Sequence, residues 1–305
     1  MRVPTAVLVC STLFAGCEVN LNTEGLSARE VKTFTITGQP ELVLDTFDGA
    51  IEVHSWDRNE IEVEVEKRAM EQALLDEIKI DAQQSGDKVT VKVTGPSRGD
   101  RGGVTIGVHV SPTARLRVAV PRHLMLSAHS GDGSIRAEAL DGRIVLSTND
   151  GSVVGSRLGG DIQIRSGDGS IRLDQITGKI DLETTDGSIG LEAKPTILKA
   201  RTGDGSIRAR IEADAVMADD WELTTSDGTI TVALPGSFNA ELDAETSDGT
   251  VRADRSVFPD ERGDESDHDG RDDRRERRRT LRAKLGDGGK TFRIRSGDGS
   301  IRIER

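Results

Sequence analysis

The chain has 305 residues, enough for one large or two ordinary domains, with only 3% aromatics, no tyrosine and a formal net charge of −12. That acidic balance excludes a general nucleic-acid binder, whose phosphate affinity needs a basic surface. The scarcity of rings excludes a thick core built on large aromatics and leaves Ile, Leu and Val to fill a thin one, and 34 Gly against 8 Pro assigns the glycines to turns rather than disorder.

The chain opens MRVPTAVLVCSTLFAGC. Arg2 precedes an apolar run from Val3 to Gly16, too short to span a bilayer and typical of a signal-peptide core. Its end, Leu13-Phe14-Ala15-Gly16-Cys17, resembles the bacterial lipobox, in which small residues precede a cysteine that is lipidated and becomes the new N-terminus. Phe14 departs from the Leu that pattern prefers. Removal of residues 1–16 takes Cys10 with it and leaves Cys17 as the sole thiol, so no disulfide forms within the mature chain. Acylation of Cys17 would tether the protein to a membrane without making it span one. The expectation is an exported, lipid-anchored cell-envelope protein with residues 17–30 as anchor and tether.

Residues 31–304 read as one β-strand repeat domain. Thr33–Thr37, Leu42–Asp45, Ile51–His54 and Ile61–Val65 alternate as strands, Ala69–Ile78 has a helical pattern, and alternation resumes at Val89–Val93, Val104–Val110 and Leu116–Pro121. Regular repeats then occupy 127–210. The pairs Asp132-Gly133, Asp150-Gly151, Asp168-Gly169, Asp186-Gly187 and Asp204-Gly205 are spaced by 18 residues each time. Later copies drift: Asp227, Asp248 and Asp298 follow at 23, 21 and 50, and Asp48-Gly49 lies far upstream. A second turn signal falls nine residues after an Asp-Gly, at Asp141-Gly142, Gly159-Gly160 and Thr177-Gly178. The Asp-Gly pairs are taken as structural turns, with glycine supplying positive φ and Asp bonding its own backbone.

Two all-β architectures fit. In an antiparallel meander or sandwich each Asp-Gly closes a tight hairpin. In a β-solenoid each ~18-residue unit is one coil and equivalent residues stack. The columns Ile135, Val153, Ile171, Ile189, Ile207 and Leu146, Ile164, Leu182 favour the solenoid, because a single-layer meander would leave its apolar face in water. Outward residues mix signs, Arg136, Arg172 and Arg208 against Glu138, Asp181 and Glu183, and read as a solvated face. Residues 255–290 interrupt the pattern: Pro259–Arg279 has almost no apolar residue, splits into an acidic and an Arg-rich half, and reads as a disordered insertion. Thr291–Glu304 then supplies a closing repeat.

These features together resemble the bacterial "putative adhesin" domain family of β-strand repeat proteins. The resemblance is carried by Phe47–Asp57 (FDGAIEVHSWD), Val118-Ala119-Val120-Pro121, the Ser-Gly-Asp-Gly-Ser-Ile repeats and Phe292–Ile303, and it covers roughly residues 31–304. It implies a β-helical fold and an envelope compartment more than an activity.

A uniform column of turn aspartates lacks the paired, unlike carboxylates of general acid–base catalysis, although β-helices do host polysaccharide-acting enzymes. Calcium-stabilised β-rolls also use 18 residues per coil, but with a GGxGxDxUx text absent here. The five histidines show no metal spacing. The sequence therefore points to a non-catalytic scaffold or adhesin-like binding protein, without cofactor or metal, held at a membrane and meeting a protein or glycan partner.

Overall fold

Alternating residues that read as strands with one apolar face do form strands, and they pair with the equivalent strand one repeat away. The computed structural model describes residues 18–22, 25–96, 111–254 and 279–305. The signal segment 1–16, Cys17, the expected strand Val104–Val110 and the charged run up to 278 lie outside the described residues. Pairing between coils is parallel: Ile135 aligns with Val153, then Ile171, Ile189 and Ile207, while Leu146 aligns with Ile164 and Leu182. This is the solenoid, and parallel register rules out the meander of hairpins.

Each coil contributes a strand to two walls. Wall A contains, for example, Asp141–Thr148 and Gly159–Ser166, and wall B the short Ile135–Glu138 and Val153–Ser156. Their inward positions form one continuous core of small aliphatics, with Ile144, Leu146, Ile162, Ile164 and Ile180 all fully buried. Burial of each such side chain contributes about 1.5–3 kcal/mol. Three of the aromatics gather at one end, where Trp221 packs 5.5 Å from Phe292 and 5.4 Å from Phe238 between ring centroids. The only described α-helix is Gln72–Glu77, inside the expected segment. No described helix is long and apolar enough to cross a membrane.

The corner that joins wall A to wall B contains the five Asp-Gly pairs spaced by 18, and its chemistry differs from a positive-φ turn. Gly133, Gly151, Gly169, Gly187 and Gly205 are absent from the glycines with positive φ. They are required for space. A Cβ on Gly169 would lie 2.0 Å from the carbonyl oxygen of Gly151 one coil away, and one on Gly187 would lie 2.1 Å from that of Gly169. The expected backbone bond from the aspartate side chains is also not made. Asp132, Asp150, Asp168, Asp186 and Asp204 are exposed and form no side-chain hydrogen bond or ion pair.

What ties the corners together is a hydroxyl two residues before each Asp-Gly. Thr202 Oγ1 donates to the Gly187 carbonyl at 2.8 Å and accepts from Gly205 N–H at 3.2 Å. Thr148, Ser166, Thr184 and Thr225 make the same bond to the coil before them. All are buried, so each hydroxyl satisfies a carbonyl that would otherwise be desolvated and unpaired.

The opposite corner lies slightly earlier than the glycine pairs indicated. It turns on Ala139, Arg157 and Gln175, all left-handed at φ 57°, 54° and 56°. Asp141-Gly142, Gly159-Gly160 and Thr177-Gly178 already belong to the wall A strands that follow. There the glycine at the second position of each pair does have positive φ, 133°, 103° and 105° in turn.

Stacking order is not chain order at either end. Thr291–Ser296 and Ile301–Glu304 do not close the solenoid. They insert between Trp221–Thr225 with Ile230–Ala233 on one side and Ala240–Thr246 with Val251–Ala253 on the other. Likewise Glu41–Thr46 and Ile51–Trp56 sit between Lys88–Thr94 with Thr113–Pro121 and His123–Ser130 with Ile135–Glu138. Antiparallel strands flank these ends. The expected tether also folds: Glu18–Asn22 and Gly25–Thr35 pair with each other, and the latter with Glu60–Ala69. Alternating Phe34 and Ala28 give it a buried face. The expected insertion 255–290 similarly ends early, since Thr280–Leu285 is a strand whose Leu281 and Leu285 are buried.

The interleaving follows a rule visible at the residue after each buried hydroxyl. In stacking order these are Phe47, Gly131, Asn149, Gly167, Thr185, Gly203, Ser226, Gly297 and Ser247, strictly alternating between a side chain and glycine. A Cβ on Gly167, Gly203 or Gly297 would stand 2.4, 2.6 or 2.4 Å from the carbonyl oxygen beneath it. In chain order Ser247 follows Ser226 and breaks the alternation, and insertion of the last coil restores it.

Two substitutions separate space from side-chain identity. Gly169→Ala should destabilise by about 1–3 kcal/mol through forced overlap, and Thr202→Val by about 1–3 kcal/mol through the unpaired carbonyl and N–H it leaves. Gly190→Ala, whose Cβ meets nothing closer than 4.0 Å, should leave the denaturation midpoint unchanged.

Candidate interaction surface

The corner alternation has a consequence on the walls. The octapeptide copies at 129–136, 165–172, 201–208 and 295–302 occupy every second coil in the stack. Each copy delivers one basic residue to wall A before the corner and one arginine to wall B after it. The two resulting columns have opposite fates.

On wall A the intervening coils supply acids. Arg165 Nε lies 2.9 Å from Glu183, Arg201 Nη2 lies 2.8 Å from Glu222, and Arg295 Nη2 lies 2.5 Å from Asp243. Lys88 with Glu41 and Lys92 with Asp45 extend the pattern, at 2.6 and 3.0 Å. At the near end of wall B, Glu64 and Glu66 gather Arg29, Arg68 and Arg117. Burial opposes ionisation of Glu66, but Arg68, Arg117 and Arg115 outweigh it and hold its pKa below the ordinary value.

In the middle of wall B the neighbouring coils set Val154, Gly190 and Thr231 beside the arginines, and the one acid in register, Glu52 beside Arg136, lies 3.7 Å from Arg117 instead. Arg136, Arg172 and Arg208 are exposed and form no hydrogen bond or ion pair. Asp181 and Glu183, whose charges suggested a balanced face, belong to wall A and never meet these arginines. Gly190 sits in register between Arg172 and Arg208. Having no side chain, it leaves a depression of about 180 Å³ lined by both arginines and by Ser170, Ser188 and Ser206. At about 4.8 Å per strand, the arginines stand about 9.6 Å apart along the wall.

The sequence-expected site residues lie elsewhere. Asp132, Asp150, Asp168, Asp186 and Asp204 stack along the corner edge with their glycines beneath the next coil, as turn residues. Cys17 is outside the described residues. Among the described residues no group of three or more His, Cys, Asp or Glu is placed to hold a metal ion. The wall B arginines were present in the repeated octapeptide. Their isolation depends on which residue the neighbouring coil sets beside them.

A family model matches residues 39–304 and carries the description Toastrack DUF4097. The chain belongs to that family. The Toastrack DUF4097 chain matches no curated protein. Among solved structures it is similar to a "putative adhesin" from Bacteroides fragilis NCTC 9343, with TM-score 0.42, 9% identity and coverage of 90% of this chain and 96% of that one. A second "putative adhesin", from Parabacteroides merdae ATCC 43184, has TM-score 0.41 and 12% identity over 91% and 96% of the two chains. A "Putative lipid binding protein" from Parabacteroides distasonis ATCC 8503 has TM-score 0.36 and 13% identity over 91% and 97%.

Within this Toastrack solenoid the tightest wall A pair makes a pH prediction. Burial disfavours the Asp243 carboxylate, yet the hydrogen bond and charge of Arg295, with Arg282 3.5 Å from its buried and otherwise unbonded Oδ1, hold its pKa below 3.8. A depressed carboxylate pKa contributes stability above its unfolded value that is lost as pH falls through the folded one. Stability should therefore decline more steeply below about pH 4 in the wild type than in Asp243→Asn, measured by denaturant midpoints across acid pH.

Proposed function

We propose that this chain is a non-catalytic binding module of the bacterial cell envelope, anchored by lipid on Cys17, with wall B as its ligand-facing surface. The observation that carries the reading is the contrast between the two arginine columns. One repeat generates both; acids pair with Arg165, Arg201 and Arg295 on wall A, whereas on wall B Arg302 of the last copy pairs with Glu304 and Arg136, Arg172 and Arg208 pair with none. A solenoid that needed its arginines only for solubility would gain from pairing both, since surface pairs contribute up to about 1 kcal/mol each. A column left unpaired over a notch is an arrangement that leaves guanidinium donors available to a ligand.

The lipobox-like end of the leader supports the anchor. Strand pairing begins at Glu18, directly after Cys17. An acyl chain there would hold the interleaved N-terminal end of the solenoid close to the membrane and leave wall B facing sideways along the rod. The rigidity follows from the hydroxyl-linked corners, which fix the spacing of anything displayed on the walls.

The anchor is tested by phase partition after expression in a bacterial host. The wild-type protein should enter the detergent phase and incorporate labelled fatty acid, whereas Cys17→Ser should incorporate none. Label in Cys17→Ser, or a wild-type protein found wholly in the aqueous phase, would contradict it.

A further inference from the structure

We infer that the ligand of wall B is a linear acidic glycan carrying one anionic group per disaccharide, a proposal that rests on the binding-module reading above. The inference starts from the spacing. Arg136, Arg172 and Arg208 recur every second coil, about 9.6 Å apart, close to the length of an extended disaccharide. Each guanidinium offers paired N–H donors that match a carboxylate or sulfate. The hydroxyls of Ser170, Ser188 and Ser206 run alongside as a second column, suited to the neutral sugar hydroxyls between anions. Gly190 opens the floor so that a sugar ring can settle between two arginines.

The surroundings set the charge density of the ligand. Two acidic lines flank the arginines. On one side are the corner aspartates Asp168, Asp186 and Asp204. On the other, two residues along each strand, are Asp174 and Glu192, the latter 3.9 Å from Arg210. With a net charge of −12 on the whole chain, a densely charged polymer meets repulsion from the corner aspartates beside each arginine and, beyond Arg172, from Asp174. A chain whose anions fall only at the guanidinium positions avoids it. Simultaneous engagement of successive arginines raises affinity over any single contact because the second and third contacts are intramolecular.

The test uses the detergent-solubilised mature protein and four glycan probes: a hyaluronate octasaccharide, which has one carboxylate per disaccharide, the matching disaccharide, heparin as a dense polyanion, and dextran as a neutral chain. Calorimetry at low salt should show binding of the octasaccharide, at least tenfold weaker binding of the disaccharide and of heparin, and none of dextran. Arg172→Ser with Arg208→Ser should weaken octasaccharide binding at least tenfold. Gly190→Glu, which places a carboxylate between the two arginines as wall A does, should do the same. Arg165→Ser with Arg201→Ser, on wall A, should leave it within twofold. Thermal melts establish that each variant is folded, and the arginine pair carries the test if Gly190→Glu is not. The inference is overturned if the octasaccharide does not bind, if heparin or dextran binds as tightly, or if the wall A and wall B variants lose affinity equally. Shortening of the bound octasaccharide would instead sink the non-catalytic reading while leaving the site in place.

Discussion

One contact governs this molecule: the backbone of each coil passes so close to the next at the Asp-Gly corner that no Cβ fits between them. Glycine leaves the carbonyl of the coil below accessible, and a buried Ser or Thr hydroxyl fills the remaining gap by donating to it. The contact is at once steric and polar. Losing the glycine forces the coils apart, and losing the hydroxyl strands a desolvated carbonyl. Because successive coils from Ser130 onward repeat it, their rise is regular, and the thin aliphatic core carries large rings only near its interleaved ends.

The same crowding makes the true repeat two coils long. A side chain after the hydroxyl in one coil demands glycine in the coil stacked on it, so the octapeptide with its inner glycine recurs only on alternate coils. That alternation reaches the surface as two columns of basic residues. The family scaffold thus provides a regular spacing, and the residues set between the arginines decide whether a column is closed by acids, as at Glu183 and Glu222, or left available, as at Gly190.

Much of this was legible beforehand. The period, the buried columns from Ile135 to Ile207 and the strand alternation depend on local pattern, which a sequence displays directly. The identity of the corner glycines was legible, but not their reason. Positive φ and close approach both demand glycine, and only the stack tells them apart. The Ser or Thr two residues before each Asp-Gly was equally visible, yet a hydroxyl in a polar turn carries no mark of burial. Strand pairing at Gly25–Thr35 was hidden because its buried residues, Ala28 and Phe34, are sparse amid polar text. The isolation of the wall B arginines was hidden because the sequence shows outward charges without assigning them to a wall. Asp181 and Glu183 are on the other wall from Arg172, and neighbours here are 18 apart or, at the ends, far more.

The interleaved order is where stacking and chain order disagree, and so where the account is most exposed. Thr224 pairs with Arg295, which pairs with Glu245, so Thr224 and Glu245 stand two coils apart although they are the nearest of the three in sequence. Adjacent parallel strands bring Cα atoms to about 4.8 Å, inside the range a disulfide tolerates, whereas two coils exceed the ~7 Å limit. With Cys17 acylated or replaced, mild oxidation of Thr224→Cys with Arg295→Cys should give an intramolecular disulfide, and Thr224→Cys with Glu245→Cys should not. The reverse outcome, a bridge from 224 to 245 and none from 224 to 295, would show the coils stacked in chain order and contradict the account.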